Sequence, residues 1–400
     1  MKKLALLLAV VLLLALPGCG AETGLLTGVT ASERGEAADA AELAADFTME
    51  LFNAAYEGGD ALISPVSVLA ALAMAEAGAE GETLAQMEEV FGADAETMRL
   101  ALSAYMSSVA GTEAKMANAI WFRDDGRFEP DEAFLADCAS FAGAEVFADE
   151  FTGALAGEIN GWISEHTDGM VKDVLDKIDP DAVMYLVNAL AFEADWAEKY
   201  EEYQVRDNEF NAEDGVKTVE MMYSDESTYL EGEGFTGFMK PYKGGRYAFA
   251  ALLPDETSSL EALLESLTGE TLADALENAA EAEVSAGLPS FEGRTQTELS
   301  AVLAGMGMTD AFDMGLADFS GMGESELGGI FLSRVLHETF IEVTPQGTRA
   351  AAVTVIEAPT GMAAPQDLKT VICDRPFAYM IVDTEYNIPL FFGVVTGAGL

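Results

Sequence analysis

A chain of 400 residues with 70 acidic and 20 basic side chains carries a formal charge of −50, and half of its residues are hydrophobic. The apolar share supports a large core, while the lack of a basic stripe excludes nucleic acid as a partner and disfavours heparin-like polyanions. The acidic residues are spread along the chain rather than gathered in one block, as on a solvated surface.

The chain opens with Met1-Lys2-Lys3 and an apolar run from Leu4 to Leu16. A short basic end before about a dozen apolar residues reads as a secretory signal, too short to span a bilayer as a helix. The run closes on Leu16-Pro17-Gly18-Cys19, which resembles the bacterial lipobox, with Pro17 as an unusual occupant. That resemblance implies removal of residues 1–18, lipidation of Cys19 and an exported, membrane-anchored protein; the alternative is an ordinary cleaved signal with a chance cysteine. Residues 19–36 are small and polar without an apolar period and read as a flexible tether.

From residue 37 to residue 400 no second linker or internal repeat is visible, although length alone suggests two or three domains. Apolar spacing predicts a helix over Ala37 to Tyr56 and further helices over Val66 to Ala77 and Leu84 to Phe91, the second of the three started by Ser64-Pro65. "KMANAIWF" (from Lys115) and "MYLVNALAF" (from Met184) have the length and continuous apolarity of strands covered on both faces. "YAFAALLP" (from Tyr247) reads as another strand, stopped by its proline. "LEALLESL" and "LADALENAA" are amphipathic helices, and "SAGLPSFE", "VLHETFIEV", "RPFAYMIVD" and "IPLFFGVVT" make the last third strand-rich. Helices early and strands late favour an α+β fold.

Little in the chain is equipped for catalysis. There are two histidines, His166 in a polar turn and His337 within an apolar strand, the latter read as a hydrogen-bonded core residue. No G-x-S-x-G, H-E-x-x-H or C-x-x-C occurs, two histidines cannot supply a zinc cluster, and neither a metal nor another cofactor is expected. Besides Cys19 only Cys138 and Cys373 are present, either as a disulfide or as two buried free thiols. The chain is not expected to be an enzyme.

Gly347 to Thr370 carries two patterns at once. "GTRAAAVT" alternates small residues as a strand does, whereas "APTGMAAPQ" has the composition of an exposed loop. If Thr348 faces a core, Ala350, Ala352 and Thr354 face it too, and all are small; Arg349, Ala351, Val353 and Val355 take the other face.

Several separated segments together resemble the serpin family: "ISPVSVLAALAMAEAGAEGETLAQM" (from Ile63), "ANAIWF", "INGWISEHTDGMVKDVL" (from Ile159), "LVNALAFEADW" (from Leu186), "GMTDAFDMGLADFSGM", "LSRVLHETFIEVTPQGTRAAAVT", "DRPFAYMIVD" and "PLFFGVV". They cover about residues 40 to 396 in order. The resemblance implies one large α+β domain with three β-sheets, eight to nine helices and an exposed reactive-centre loop, and it replaces the estimate of several domains. It further implies a monomeric inhibitor that a serine protease attacks, forming a covalent acyl complex while the cut loop inserts into the main sheet. Residues Gly347, Thr348, Ala350, Ala351 and Ala352 match the family's hinge, where Gly347 would supply backbone freedom. The interval from the hinge places the reactive bond at Gly361–Met362, with Thr360 and Ala363 as alternative flanking positions, which suits elastase-, subtilisin- or chymotrypsin-like proteases. Ser64, Ser67, Asn188 and His337 match the polar "shutter" behind the sheet, and Trp196 the "breach" tryptophan at its top. Pro345-Gln346 replaces the acidic residues usual before the hinge, and Pro345 is expected to stiffen it. That departure leaves open a second reading, a non-inhibitory surface-binding lipoprotein on the same scaffold.

Overall fold

The computed structural model describes residues 31–172, 174–348 and 368–397. Cys19, the hinge residues Ala350 to Ala352 and the reactive-bond candidates Thr360 to Ala363 lie outside the described residues. Nine α-helices occur among the described residues: α1 (Ala31–Ala55), α2 (Pro65–Glu76), α3 (Gly81–Phe91), α4 (Ala95–Val109), α5 (Glu132–Phe141), α6 (Leu155–His166), α7 (Leu260–Ser266), α8 (Gly269–Glu277) and α9 (Ser300–Met306). Helix α1 takes in residues expected as tether, because its Ala/Glu-rich first turns are good helix formers. Helix α2 is buried around nearly its whole circumference, as befits a helix with no polar face.

Strands in the first half are β1 (Ala61–Ile63), β2 (Ala114–Arg123), β3 (Phe128–Pro130), β4 (Glu145–Asp149), β5 (Met184–Phe192) and β6 (Ala194–Asp195). The middle adds β7 (Val205–Ala212), β8 (Gly215–Gly232), β9 (Phe235–Pro241), β10 (Tyr247–Pro254), β11 (Ala280–Pro289) and β12 (Phe291–Glu298). The last third holds β13 (Gly323–Ser325), β14 (Leu336–Thr344), β15 (Gly347–Thr348), β16 (Lys369–Ile372), β17 (Phe377–Asp383) and β18 (Ile388–Val395). "SAGLPSFE", expected as one strand, straddles two: Pro289 ends β11, and the chain changes sheet at Ser290 before β12. A proline has no N–H to continue the ladder.

Nine strands form one sheet in the order β1-β18-β17-β10-β9-β8-β11-β16, with β7 paired to β8. Every residue of β10 is buried in it, the outcome its unbroken apolar run implies. A three-stranded group, β4-β2-β5, and a four-stranded group, β12-β14-β15-β6, are hydrogen-bonded separately. Only Glu193 separates β5 from β6. The two groups are therefore halves of a single sheet, joined at the top through β15 and parted below it between β5 and β14. The short pair β3–β13 completes the set. Three sheets thus remain the right description of the fold, with the hydrogen bonds continuous through one of them and interrupted in another.

Candidate functional site: a parted sheet and its hinge

The hinge is a tight hairpin. Strand β14 ends at Thr344, Pro345-Gln346 turn, and β15 returns with Val343 opposite Thr348 and Thr344 opposite Gly347. On its other edge β15 pairs antiparallel with β6, Gly347 with Asp195 and Thr348 with Ala194. The Thr344 hydroxyl closes the turn, accepting from the Gln346 N–H at 3.3 Å and donating to the Gly347 carbonyl at 3.0 Å. Proline's fixed φ suits the first central position of such a turn. Pro345 stands outside both ladders, so its missing N–H removes no strand bond, and its carbonyl accepts from the Tyr200 N–H at 3.0 Å. It shapes the hairpin without interrupting either ladder. Gly347 is needed for close approach: a Cβ there would lie 2.2 Å from the Ala194 carbonyl oxygen.

Around this hairpin the chain builds a dry aromatic cap. Trp196 is 1% exposed, and its indole N–H donates to the Thr344 carbonyl at 2.8 Å. Its backbone N–H donates to the Gln346 carbonyl at 3.0 Å. Tyr242 stacks on Trp196 with ring centroids 4.5 Å apart, and its phenol is hydrogen-bonded to the Thr348 hydroxyl. Burial pushes that phenol's pKa up, so it remains a neutral hydroxyl. The Lys240 ammonium lies 4.3 Å from the Tyr200 ring and is paired with the buried Glu226 at 2.8 Å. Tyr242 and the Lys240–Glu226 pair carry no local sequence signal beyond being polar groups in a largely apolar stretch.

Below β15, among the described residues, no strand lies between β5 and β14. The space is a cavity of about 680 Å³ whose walls include Ser64, Ser67, Leu186, Asn188, Leu336 and His337. The first turn of α2 straddles it from behind. The Ser64 N–H donates to His337 Nε2 at 2.9 Å on the β14 side, and the Ser64 hydroxyl donates to the Leu390 carbonyl at 2.8 Å. That hydroxyl is therefore engaged behind the sheet and does not cap its own helix. On the β5 side the Ser67 hydroxyl donates to Asn188 Oδ1. Asn188 Nδ2 then donates to Asn118 Oδ1 at 2.8 Å, and Asn118 Nδ2 to the Ala142 carbonyl at 2.7 Å. The four expected polar residues thus meet at one place but divide into two pairs, one holding each half of the sheet; Asn118 extends the second pair. Burial pushes the His337 pKa down to about 4, so the imidazole is neutral and its Nε2 is free to accept.

Helix α6 covers the opposite face, packing Ile159, Trp162 and Ile163 against Trp121, Ala189 and Ala191. His166, expected in a turn, ends this helix, with Nδ1 2.9 Å from the Trp162 carbonyl oxygen. Cys138 and Cys373 are buried free thiols, and burial pushes the Cys138 thiol up to about 12. Neither is primed as a nucleophile.

A sheet held open beneath a started hairpin meets a concordant result from comparison with known proteins. The profile of the family described as "Serpin (serine protease inhibitor)" matches residues 42–397. The chain is similar to Serpin B6 of Macaca fascicularis, with 32% identity over 82% of this chain and 91% of the relative. It is also similar to the leukocyte elastase inhibitor of Xenopus laevis, with 31% identity over 87% of this chain and 96% of the relative. Among solved structures, the thermophilic serpin tengpin in its native state superposes with a TM-score of 0.84 and 38% identity, covering 93% of this chain and 96% of that one. Its family is one of protease inhibitors, not of enzymes: the chain is a serpin.

Proposed function

We propose that this serpin is a suicide-substrate inhibitor of serine proteases that acts as a monomer. The observation that carries the reading is β15: Gly347 and Thr348 already pair with both β14 and β6 at the head of a gap that no other described residue fills as a strand. A protease serine attacks the carbonyl of the reactive bond, the C–N bond breaks, and the new amine leaves while the acyl group stays on the enzyme. The freed N-terminal side of the loop then extends β15 downward as a strand and draws the protease along, which is strand addition into a sheet with two unsatisfied edges. The native state persists because unfolding and loop release are slow rather than because it is the most stable state. The small and apolar residues from Thr360 to Ala363 favour elastase-, subtilisin- or chymotrypsin-like targets, and the relative named leukocyte elastase inhibitor supports the first of these. Incubation with an elastase or subtilisin is expected to give a complex that survives boiling in SDS. Clean cleavage with the protease left fully active would sink the proposal and leave the non-inhibitory reading, whose motive weakens once Pro345 is seen to stand outside the ladders.

We further propose that the inhibitor is exported and tethered to a membrane through a lipid on Cys19. The support is the apolar run ending in Leu16-Pro17-Gly18-Cys19. Cys19→Ser is expected to move the protein from the membrane fraction to the soluble one; unchanged membrane association refutes the anchor.

A further inference from the structure

The cavity in the parted sheet has a chemical character of its own. Leu72 on α2 belongs to the main core and Ile163 on α6 to the smaller cluster on the other face, and the space of about 680 Å³ lies between them. That volume falls within the roughly 300–1,000 Å³ usual for small-molecule sites. Leu186 from β5, with Leu332 and Leu336 from the β14 side, completes an apolar bore. The polar groups at its upper end are already engaged, Ser64 with His337 and Leu390, and Ser67 with Asn188.

The lower mouth is different. Lys177 and Arg334 both line the cavity there and both are exposed. Among the described residues neither side chain makes an ion pair or a hydrogen bond. In a chain with 20 basic residues against 70 acidic ones, that is unusual; the surface residues Arg99, Lys115, Lys199 and Lys217 are each paired with a carboxylate. The carboxylates on the same wall are directed elsewhere. Glu338 lies 2.8 Å from Arg294, and Asp179 accepts from the Asp181 N–H at 2.9 Å. Asp181 lies near Arg127, whose pKa is raised by Asp125 and, after it, by Asp181. The foot of the bore therefore offers two cationic donors without a partner, and everything above them is apolar or already hydrogen-bonded.

We propose that the cavity binds a free long-chain carboxylate, a fatty acid monomer whose head group is held by Arg334 and Lys177 and whose alkyl chain runs up between α2 and α6. The planar fork of an arginine matches a carboxylate bidentately, and the alkyl chain covers walls that no described strand covers. At the head of the gap β15 alone separates β14 from β6. A space one strand wide suits a single alkyl chain rather than the paired chains of a membrane lipid. The consequence for inhibition rests on the trapping reading: the alkyl chain and an inserted strand occupy the same space, so each excludes the other. Fatty acid then holds the uncut form and opposes insertion, and insertion expels the fatty acid with the same coupling.

The test uses the full-length, uncut protein and palmitate, myristate and laurate below their critical micelle concentrations, with binding followed by calorimetry. Saturable binding of a single palmitate is expected, together with a higher unfolding midpoint and affinity that falls about fourfold for each methylene removed. Arg334→Glu combined with Lys177→Glu changes two exposed residues and is expected to keep the ligand-free midpoint. It should weaken laurate about tenfold or more and reverse the preference between laurate and dodecyltrimethylammonium, a reversal that a merely structural role for these residues does not produce. Palmitate is also expected to raise the moles of inhibitor consumed per mole of elastase trapped, and protein cut by elastase is expected to bind none. Absence of saturable binding, or a double variant with unchanged head-group preference, overturns the site while leaving the trap standing. So does palmitate bound equally by cut protein whose midpoint has risen. A gap filled instead by a second copy shows as a dimer in light scattering that takes up no palmitate, which also overturns it. A wild-type midpoint that does not rise on cleavage removes the trapping reading alone, and head-group reversal on uncut protein still decides the site.

Discussion

Cutting the loop between Thr360 and Ala363 is expected to raise the unfolding midpoint by roughly 10–20 °C, and glutamate at Ala352 is expected to abolish both this rise and the trapped complex. Among the described residues the facing edges of β5 and β14 have no partner strand below β15, around a cavity of about 680 Å³. An inserted strand satisfies both edges at roughly 1 kcal/mol net per hydrogen bond and fills the space, a gain on the order of 10 kcal/mol. At about 2.1 cal/mol/K of unfolding entropy per residue, that free energy is worth somewhat over 10 °C in a domain of this size. Alternation from Thr348, itself 2% exposed, turns residue 352 toward the core. A carboxylate carried into the core of the inserted strand meets apolar surroundings, and burying it without a basic partner costs several kcal/mol. Insertion then stalls, the acyl-enzyme hydrolyses, and the variant is consumed as a substrate. Melting curves before and after cleavage, with residual protease activity, test both halves; Ala352→Ser serves as the small polar control and should behave as wild type. An Ala352→Glu protein that still traps protease places residue 352 on the other face.

What the sequence reveals here depends on the range of each interaction. Strands β5 and β10 are legible to the residue because they are continuous apolar runs bounded by charge or proline, a local property. The 18-residue strand β8 is not, since apolar and polar residues do not alternate strictly along it (Val216 is exposed and Glu226 buried) and it is held as a strand by pairing with β7, β9 and β11. At the site the same distinction holds. Ser64 and His337 are 273 positions apart, and Tyr242 and Thr348 are 106 apart. No spacing rule links such residues; the resemblance named the first pair, and the second had to be seen in three dimensions. Gly347 was legible as a hinge residue, but the physical demand on it comes from Ala194, an approach that only the formed β15–β6 pair creates. Pro345, read from the sequence as stiffening the hinge, stands in the hairpin turn between β14 and β15, a position that the sequence alone does not assign.

Replacing Glu76 with leucine is expected to stabilise the native protein increasingly as pH rises from about 5 to about 8. Glu76 is the last residue of α2 and is 1% exposed, and neither carboxyl oxygen has a hydrogen-bond partner. Burial pushes its pKa up to about 8, Glu88 and Asp94 push in the same direction, and Arg99, engaged with Asp137 at 2.8 Å, opposes them. The negative end of the α2 dipole also disfavours charge there. The sign follows from linkage. Below the ordinary carboxylate range the group is protonated in both states, and pH has no effect through it. Between that range and about pH 8 the unfolded chain releases the proton while the folded one retains it, so stability falls by about 1.4 kcal/mol per pH unit. Above that window both states are ionised and the loss is complete, on the order of 3–5 kcal/mol. Leucine removes the titration and the unpartnered oxygens at similar volume, so the advantage of Glu76→Leu should be smallest near pH 5 and grow toward pH 8. Urea midpoints of the two proteins across that range are the measurement, and a difference independent of pH would mean that Glu76 finds a partner or water in the folded state. Because α2 holds both halves of the parted sheet through Ser64 and Ser67, the same titration should reach the gap. Wild-type protein is expected to lose inhibitory activity on storage faster at pH 8 than at pH 6, and Glu76→Leu to lose that difference.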